Sequence, residues 1–268
     1  MHQVATPALE FRNVWLSFTE QPLLQDISFT VPRGQMRIIL GPSNCGKSTI
    51  LRLAVGLLKP DKGQVFLAGE EISALAEEEL QAARQQTGLV MQADALFAMT
   101  VAENVAYRLP QFGWDESQIE TEVRRVLKIV GLEAAYDLQP EELSGGMSRR
   151  AAIARALAGS PPIMFYDSPC AGLDPIISRQ LMREIIRQRD LANVSSLYVT
   201  QTLDEVRYLC SHYYEDQPGG EPVLRQEANK FVLTNTRILL LNEGQVIFNK
   251  EDEFFWDSDD ERIRQFVQ

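Results

Sequence analysis

Three short runs of the sequence contain residue types and spacings that could handle a phosphate group. The run Gly41-Pro42-Ser43-Asn44-Cys45-Gly46-Lys47-Ser48-Thr49 fits a glycine-rich phosphate loop, in which backbone N–H groups at a helix start and a lysine surround nucleotide phosphates. Downstream lie Ser144-Gly145-Gly146 and an apolar run that ends in Asp167. The first run alone would predict only nucleotide binding. All three in this order predict that two copies of the chain clamp one nucleotide.

The polar residues of this set have roles that their chemistry allows. Lys47 would reach the β- and γ-phosphates, and the Ser48 hydroxyl would hold Mg²⁺. Asp167 ends a predicted buried strand, where a carboxylate can contact the water shell of the metal; the alternative is an ordinary acid at a strand end. Gln92 also ends a predicted strand and could supply a metal or water contact, with an ordinary strand-end residue as an equal alternative.

Cys45 lies at the predicted helix start, inside the phosphate loop. A thiol at such a position could have a lowered pKa because the helix dipole favours the thiolate. The alternative interpretation is a small residue that simply fits the turn.

Alternating strand-like and helix-like runs around these residues predict a parallel α/β core with a helical insertion. The predicted strands are 9–16, 27–31, 36–40, 63–68, 88–91, 163–166 and 197–200, and the predicted helices are 47–57, 176–189 and 203–209, with helical character over 93–160. Residues 238–241 and 246–248 predict a hairpin around Asn242-Glu243-Gly244. The polar segment 213–230 predicts an exposed loop.

The composition limits the classes of partner and location. The 268 residues have a net charge of −11, which argues against nucleic acid as a partner. No run approaches the roughly 18 apolar residues of a membrane span, so a membrane role would need a separate membrane-embedded partner. The three cysteines lack metal-ligand spacing and fit a reducing cytosol.

With these residues in view, the chain resembles the ATP-binding cassette (ABC) ATPases over nearly its whole length. Leu143-Ser144-Gly145-Gly146-Met147 is similar to the family signature, and Gly172-Leu173-Asp174-Pro175 to the D-loop at the dimer interface. Gln92 matches the Q-loop glutamine. Phe18 matches the aromatic residue that stacks on adenine, although Trp15 is close enough to compete for that role. Asn44 stands where the pattern usually has glycine, and asparagine tolerates the left-handed backbone conformation that such a turn needs.

The resemblance implies a single ABC nucleotide-binding domain over residues 1–268. Its expected fold is a P-loop NTPase core with a parallel sheet, an N-terminal antiparallel β subdomain and a helical signature subdomain. The core would comprise residues 1–92 and 160–250 and the helical subdomain 93–159, with a polar insertion at 213–230 and a tail at 251–268. The expected cofactors are ATP and Mg²⁺, the metal being held by Ser48, Gln92 and Asp167.

Within the family the chain is similar to lipid-transport cassettes of the maintenance-of-lipid-asymmetry type. This likeness rests on Met147 and on the runs Ala95-Leu96-Phe97, Met99-Thr100-Val101, Glu103-Asn104-Val105-Ala106-Tyr107 and Glu261-Arg262-Ile263-Arg264-Gln265-Phe266. It implies two cassettes packed head to tail, as a homodimer or as a heterodimer with a competent cassette. It also implies a permease that docks near residues 92–107 and holds the chain at the cytoplasmic face of the cell membrane.

The chain departs from the family pattern at two positions that concern hydrolysis. Ser168 stands where the family has the glutamate that polarises the attacking water, and Gln201 stands where it has a histidine. Serine cannot act as a carboxylate base, and loss of a general base costs about 10²–10⁴ in rate. The chain has two histidines, His2 and His212, and neither is expected to take the role of the missing histidine.

Three interpretations therefore remain open: a slow ATPase that drives lipid transport, a nucleotide-gated clamp that rarely hydrolyses ATP, and the ATPase of a polar-solute importer.

Overall fold

The computed structural model describes residues 6–92, 96–217, 219–226, 235–251, 253–256 and 258–267. Ala95, His2 and parts of segment 213–230, all used in the sequence analysis, lie outside these residues. In chain order the elements are β1 (Leu9–Ser17), β2 (Pro22–Val31), β3 (Met36–Leu40), α1 (Lys47–Ala54), β4 (Lys62–Leu67), β5 (Glu70–Glu71), α2 (Glu77–Gln85), β6 (Thr87–Val90), α3 (Val101–Ala106), α4 (Glu116–Ile129), α5 (Gly145–Leu157), β7 (Ile163–Asp167), α6 (Pro175–Leu191), β8 (Ser195–Thr200), α7 (Leu203–Ser211), β9 (His212–Glu215), β10 (Val223–Gln226), β11 (Thr236–Asn242), β12 (Gln245–Glu251), α8 (Glu253–Trp256) and α9 (Glu261–Val267).

The N-terminal strands form an antiparallel sheet in the order β2-β1-β4-β5. Burial alternates along β2, as expected where one face of a strand meets the core and the other meets solvent. Phe11 and Phe29 lie opposite each other in the β1–β2 register and stack with ring centroids 4.7 Å apart. Cross-strand aromatic pairs of this kind stabilise a sheet.

The second sheet has the order β12-β11-β3-β8-β7-β6 and is parallel except for β12. Its central strands β3, β7 and β8 are buried at every position. This explains their continuous apolar runs, because helices or the other sheet cover both faces of such strands. Ile39 and Phe165 face the core shared with α1, whereas Tyr166 and Tyr198 face the core shared with α5 and α6.

The register of the parallel sheet places several chain segments at one edge. Leu40 lies beside Thr200, Asp167 beside Val199, and Val90 beside Tyr166. The carboxyl ends of β3, β8, β7 and β6 therefore meet at this edge, which we call the carboxyl edge. Ligands of open parallel sheets bind outside such an edge.

The helices α3, α4 and α5 lie between β6 and β7 in the sequence, and they pack against one another. Arg125 on α4 donates to Glu122 on the same helix and to Glu184 on α6, at 2.7 Å each. This partly buried ion-pair network joins the helical part of the chain to the sheet-covering helix α6.

Among the described residues, no helix combines the length and apolarity needed to cross a bilayer.

The structure confirms the predicted fold class and the type of every assigned strand and helix. The first helix ends at Ala54 rather than at residue 57, because Gly56 adopts a left-handed conformation with φ of 67°. The sequence analysis gave no assignment to α2. That helix begins with three glutamates, which match the positive end of the helix dipole, and Glu79 accepts a hydrogen bond from the Ala76 N–H.

Most described residues of 213–230 are exposed as predicted, but the prediction of a loop was wrong, because they include the hairpin β9–β10. Its first strand packs against α6, and the Tyr214 N–H donates to Asp190 at 2.8 Å. Each strand is only four residues long, which is too short for a strand periodicity to be recognised in the sequence. Tertiary contacts with α6 define this hairpin.

Candidate nucleotide-binding site

The phosphate loop connects β3 to α1 through a tight turn. Asn44 and Gly46 have φ values of 63° and 102°, both in the left-handed region. The expected tolerance of Asn44 for this conformation is confirmed. At Gly41 a Cβ atom would lie 2.2 Å from the backbone oxygen of Leu241, so only glycine fits beside β11.

Lys47 begins α1 and is only 8% exposed. Its Nζ donates to the backbone oxygens of Gly41 and Pro42, at 2.9 and 2.5 Å. The ammonium group thus lies over the loop, at the helix end where unpaired backbone N–H groups attract anions. Backbone carbonyls are partners that a phosphate oxygen could replace.

The alternative that Cys45 is an activated thiol is wrong. The side chain is buried, and burial raises the pKa of the thiol, while the nearby charge of Lys47 opposes that rise only in part. The thiol therefore stays protonated at neutral pH. Cys45 is a small residue that fits the turn, which was the other interpretation.

Three residues with oxygen-bearing side chains lie at the ends of elements around the carboxyl edge. Asp167 ends β7 and is 3% exposed. Ser48 lies in the first turn of α1, and Gln92 follows β6 in the chain. Carboxylate, hydroxyl and amide oxygens form the kind of ligand set that Mg²⁺ prefers. These residues therefore fit a magnesium ion.

Gln201 follows β8 and contacts the phosphate loop directly. The Ser43 hydroxyl donates to the Gln201 side-chain oxygen at 2.8 Å, although 158 residues separate them in sequence. The structure therefore holds the side chain that replaces the family's histidine against the loop. Its amide group can donate a further hydrogen bond to an oxygen bound there.

Ser168 follows Asp167 in a strained backbone conformation with φ of 47°. Its N–H donates to the Val199 oxygen at 2.9 Å. Its carbonyl oxygen accepts from Nη2 of Arg149 at 2.8 Å, and Nη1 of the same arginine donates to the Gln92 carbonyl at 3.1 Å. The sequence analysis did not single out Arg149 and so missed these contacts. The one available signal was a cation near a helix N-terminus, where the helix dipole disfavours it.

The signature residues form an exposed helix start, which we call the signature tip (Ser144, Gly145 and Gly146). The Ser144 hydroxyl accepts a hydrogen bond from the Met147 N–H at 3.3 Å and caps α5. Around Gly145 and Gly146 an added Cβ would meet no described atom within 4 Å. The tip therefore presents backbone N–H groups to whatever approaches it.

The remaining predicted residues lie on the surface around these features. Asp174 caps α6 by accepting from the N–H groups of Ile176 and Ile177 at 2.9 and 3.0 Å. Phe18 is 61% exposed in the turn before β2, whereas Trp15 is half-buried within β1. His212 lies in β9, where its ring stacks on Tyr208 with centroids 3.9 Å apart, and none of its described contacts involves the phosphate loop.

The fold and this site define a P-loop nucleotide-binding protein of the α/β class. The family model described as "ABC transporter" matches residues 24–171, which run from β2 past Asp167. The chain belongs to the ABC transporter family and is an ATP-binding cassette of that family.

Curated relatives extend the likeness beyond the matched core. The chain is 36% identical over 214 residues to the intermembrane phospholipid transport system ATP-binding protein MlaF of Escherichia coli K12, covering 79% of this chain and 80% of that protein. It is 37% identical over 198 residues to the Fe(3+) ions import ATP-binding protein FbpC of Escherichia coli O157:H7. That match covers 74% of this chain, which spans only 56% of the length of FbpC.

Solved structures share the fold. The dimeric, post-hydrolysis structure of the ATP-binding cassette MJ0796 bound to ADP and Pi aligns with a TM-score of 0.73 at 26% identity. The alignment covers 91% of this chain and 98% of that one. A second dimeric structure of MJ0796, described as a bacterial ABC transporter cassette, aligns with a TM-score of 0.74 at 26% identity.

Proposed function

We propose that this chain is the ATP-binding subunit of a membrane transporter for lipid or another hydrophobic substrate, and that it hydrolyses ATP slowly. The observation that carries the choice of substrate is the extent of the match. The likeness to MlaF covers 80% of that protein, against 56% of FbpC. A polar solute, as in the iron importer, is the alternative substrate class.

The nucleotide site is assembled at the carboxyl edge. The N–H groups of the phosphate loop and Lys47 bind the phosphates, and Phe18 stacks its exposed ring on the base. Ser48, Gln92 and Asp167 hold Mg²⁺, which would neutralise charge that develops on the phosphates. Gln201, held by Ser43, donates to a phosphate oxygen.

Two protomers complete each site. The signature tip of one chain caps the γ-phosphate that Lys47 of the other chain binds, because exposed N–H groups at a helix start attract an anion. The support is the exposure of the tip and the dimeric state of the MJ0796 structures. Asp174, exposed at the start of α6, lies at the same interface.

Hydrolysis is slow because the position after Asp167 has no carboxylate. Ser168 cannot take a proton from water near neutral pH, so positioning and electrostatic stabilisation must supply the rate. A clamp that binds ATP and rarely hydrolyses it is the second candidate. It is favoured by the double substitution, in which Ser168 and Gln201 replace the glutamate and the histidine of the family pattern. Dimers that persist for hours with ATP and Mg²⁺ would support the clamp, and dimers that decay as phosphate appears would support the slow ATPase.

A groove beside β6 is suited to the permease. It has a volume of about 320 Å³ and is largely apolar, with an exposed aromatic pair at its surface: Phe97 and Tyr107, whose ring centroids lie 4.6 Å apart. The guanidinium groups of Arg108 and Arg155 also line it. A cytoplasmic helix with apolar side chains and a carboxylate would match this surface. Docking there would hold the chain at the inner face of the membrane.

The test uses the native complex, purified through this chain so that the permease comes with it. ATP-driven transfer of a fluorescent phospholipid between vesicles is measured beside uptake of radioactive iron. We expect lipid transfer that is lost in Lys47→Ala and retained in Lys62→Ala, an exposed lysine on β4. Iron uptake without lipid transfer would overturn the choice of substrate, and transfer that survives Lys47→Ala would overturn the role of ATP.

A further inference from the structure

Arg149 connects α5 to two separate backbone segments at the carboxyl edge. Its Nη1 and Nη2 donate to the carbonyls of Gln92 and Ser168, which are 57 and 19 residues away in sequence. The planar guanidinium offers two separate nitrogens at a fixed angle, and each donates to one of the two carbonyls. Lysine at the same position would keep the charge and lose the fork, that is, the two nitrogens Nη1 and Nη2 that bind the two carbonyls.

The environment of Arg149 is unusual for a partly buried cation. Its Nε is buried without a hydrogen-bond partner, and among the described residues it forms no salt bridge. Arg125 and Arg189, by contrast, pair with carboxylates. Partly removing an unpaired charge from water costs free energy.

The same helix begins at the signature tip. Ser144 caps α5, and Arg149 lies just over one turn further along it. A helix of this length moves nearly as a rigid body, so a shift at Arg149 is passed to the tip. The two carbonyls that Arg149 contacts belong to residues beside the site for the γ-phosphate, in the same chain.

We infer that Arg149 is a positioning residue that couples the two nucleotide sites of a dimer. It transmits the state of the Gln92 and Ser168 segments of its own site to the signature tip, which caps the nucleotide of the partner. This inference rests on the proposed head-to-tail dimer. The occupied site in one protomer would then set how well the other site closes.

Arg150 provides a matched control on the same helix. Its Nη1 donates to the carbonyls of Val130 and Gly131 at 2.9 and 2.8 Å, so it too holds two backbone oxygens, but at the end of α4 and away from the carboxyl edge. Arg150→Lys therefore weakens a comparable set of contacts without touching the proposed coupling. Any general loss of stability should be similar in the two variants.

The first measurement separates nucleotide binding from dimer formation in the full chain. Binding of a fluorescent ATP analogue to dilute protomers is expected to stay within about twofold of the unmodified chain in Arg149→Lys, while ATP-driven dimerisation weakens at least tenfold. Arg150→Lys should change neither by more than about twofold. Unchanged dimerisation in Arg149→Lys, or an equal loss in both variants, would overturn the coupling role.

The second measurement uses mixed dimers that keep one complete site. One protomer carries Lys47→Ala, which disables its phosphate loop, and the other carries Ser144→Arg, which disables its signature tip. The complete site joins the phosphate loop of the second protomer to the signature tip of the first. Arg149→Lys is then placed on either protomer, and we expect the remaining site to weaken when the change is on the protomer that supplies the intact signature tip. Weakening only in the protomer that supplies the phosphate loop would reduce Arg149 to a local role. If the unmodified chain fails to dimerise with ATP, the proposed function itself fails.

Discussion

Ser168 occupies a position where the backbone is fixed from both sides. Its N–H donates a hydrogen bond to the Val199 carbonyl, and its own carbonyl accepts one from Arg149. A longer side chain at this position should therefore leave the backbone conformation unchanged. The left-handed φ strains serine and glutamate alike, and the substitution adds little new strain.

We therefore expect Ser168→Glu to raise the rate of Mg²⁺-dependent ATP hydrolysis by about 10²–10⁴-fold, the contribution typical of a general base. Phosphate release by the purified complex measures it. Ser168→Gln has the same length without a base and should leave the rate unchanged. Equal rates in all three proteins would show that the missing carboxylate does not limit hydrolysis.

Glu205 provides a second prediction at the scale of one residue. Burial raises the pKa of this carboxyl, although Tyr198 donates a hydrogen bond to it at 2.7 Å. The folded protein then holds this proton more tightly than the unfolded chain. The free energy of unfolding should fall as pH rises from about 4.5 through the raised pKa.

Urea unfolding at a series of pH values measures this dependence. Glu205→Gln keeps an acceptor for Tyr198 and removes the titration, so its stability should depend less on pH and exceed that of the unmodified chain above neutral pH. The same dependence in both proteins would contradict the assignment to Glu205.

Among the elements, α6 is joined to several neighbours by a buried side chain, Arg189. Arg189 on α6 pairs with Asp190 at 2.6 Å and donates to the carbonyls of Leu209 and His212 and to the Thr236 hydroxyl. It therefore ties the start of β9 and the start of β11 to α6. These contacts explain how a short polar hairpin is held in place.

Arg189→Leu should lower the free energy of unfolding by about 3–5 kcal/mol, because it removes the ion-pair partner of Asp190 and the donor to two carbonyls. Thermal and urea unfolding measure this change. Arg187→Leu, at an exposed position with only a 3.9 Å contact to Glu184, should cost less than about 1 kcal/mol. A small effect of the first change would mean that the hairpin and β11 pack without this arginine.

At the scale of the whole molecule, the two proposed partners would use different surfaces. The second cassette is proposed to bind at the signature tip, and the permease is proposed to bind in the groove beside β6. Phe97→Ser should reduce the amount of permease that copurifies with the chain, because the Phe97–Tyr107 pair would lose its apolar contact area.

Phe254→Ser, at a residue that is 52% exposed on α8, is the matched control and should retain the permease. Binding of ATP to the isolated chain should be the same in both variants. Loss of permease in both, or in neither, would argue against the groove as the docking surface.

The sequence alone predicted the fold class and the elements that border the phosphate loop. Local information is sufficient there. Continuous apolar runs specify strands buried on both faces, and glycine, asparagine and lysine at fixed spacing specify a turn at a helix start. The left-handed conformation of Asn44 follows from the same local rules.

Only the tertiary structure decided which separated segments meet. The Ser43–Gln201 hydrogen bond, the fork of Arg149 and the packing of β9 on α6 join residues far apart in sequence. The pKa of Cys45 also depended on burial, which opposed the effect expected of a helix start. Local patterns report backbone preference, whereas these contacts arise from the register of the parallel sheet and the packing of helices against it, which no short window of sequence contains.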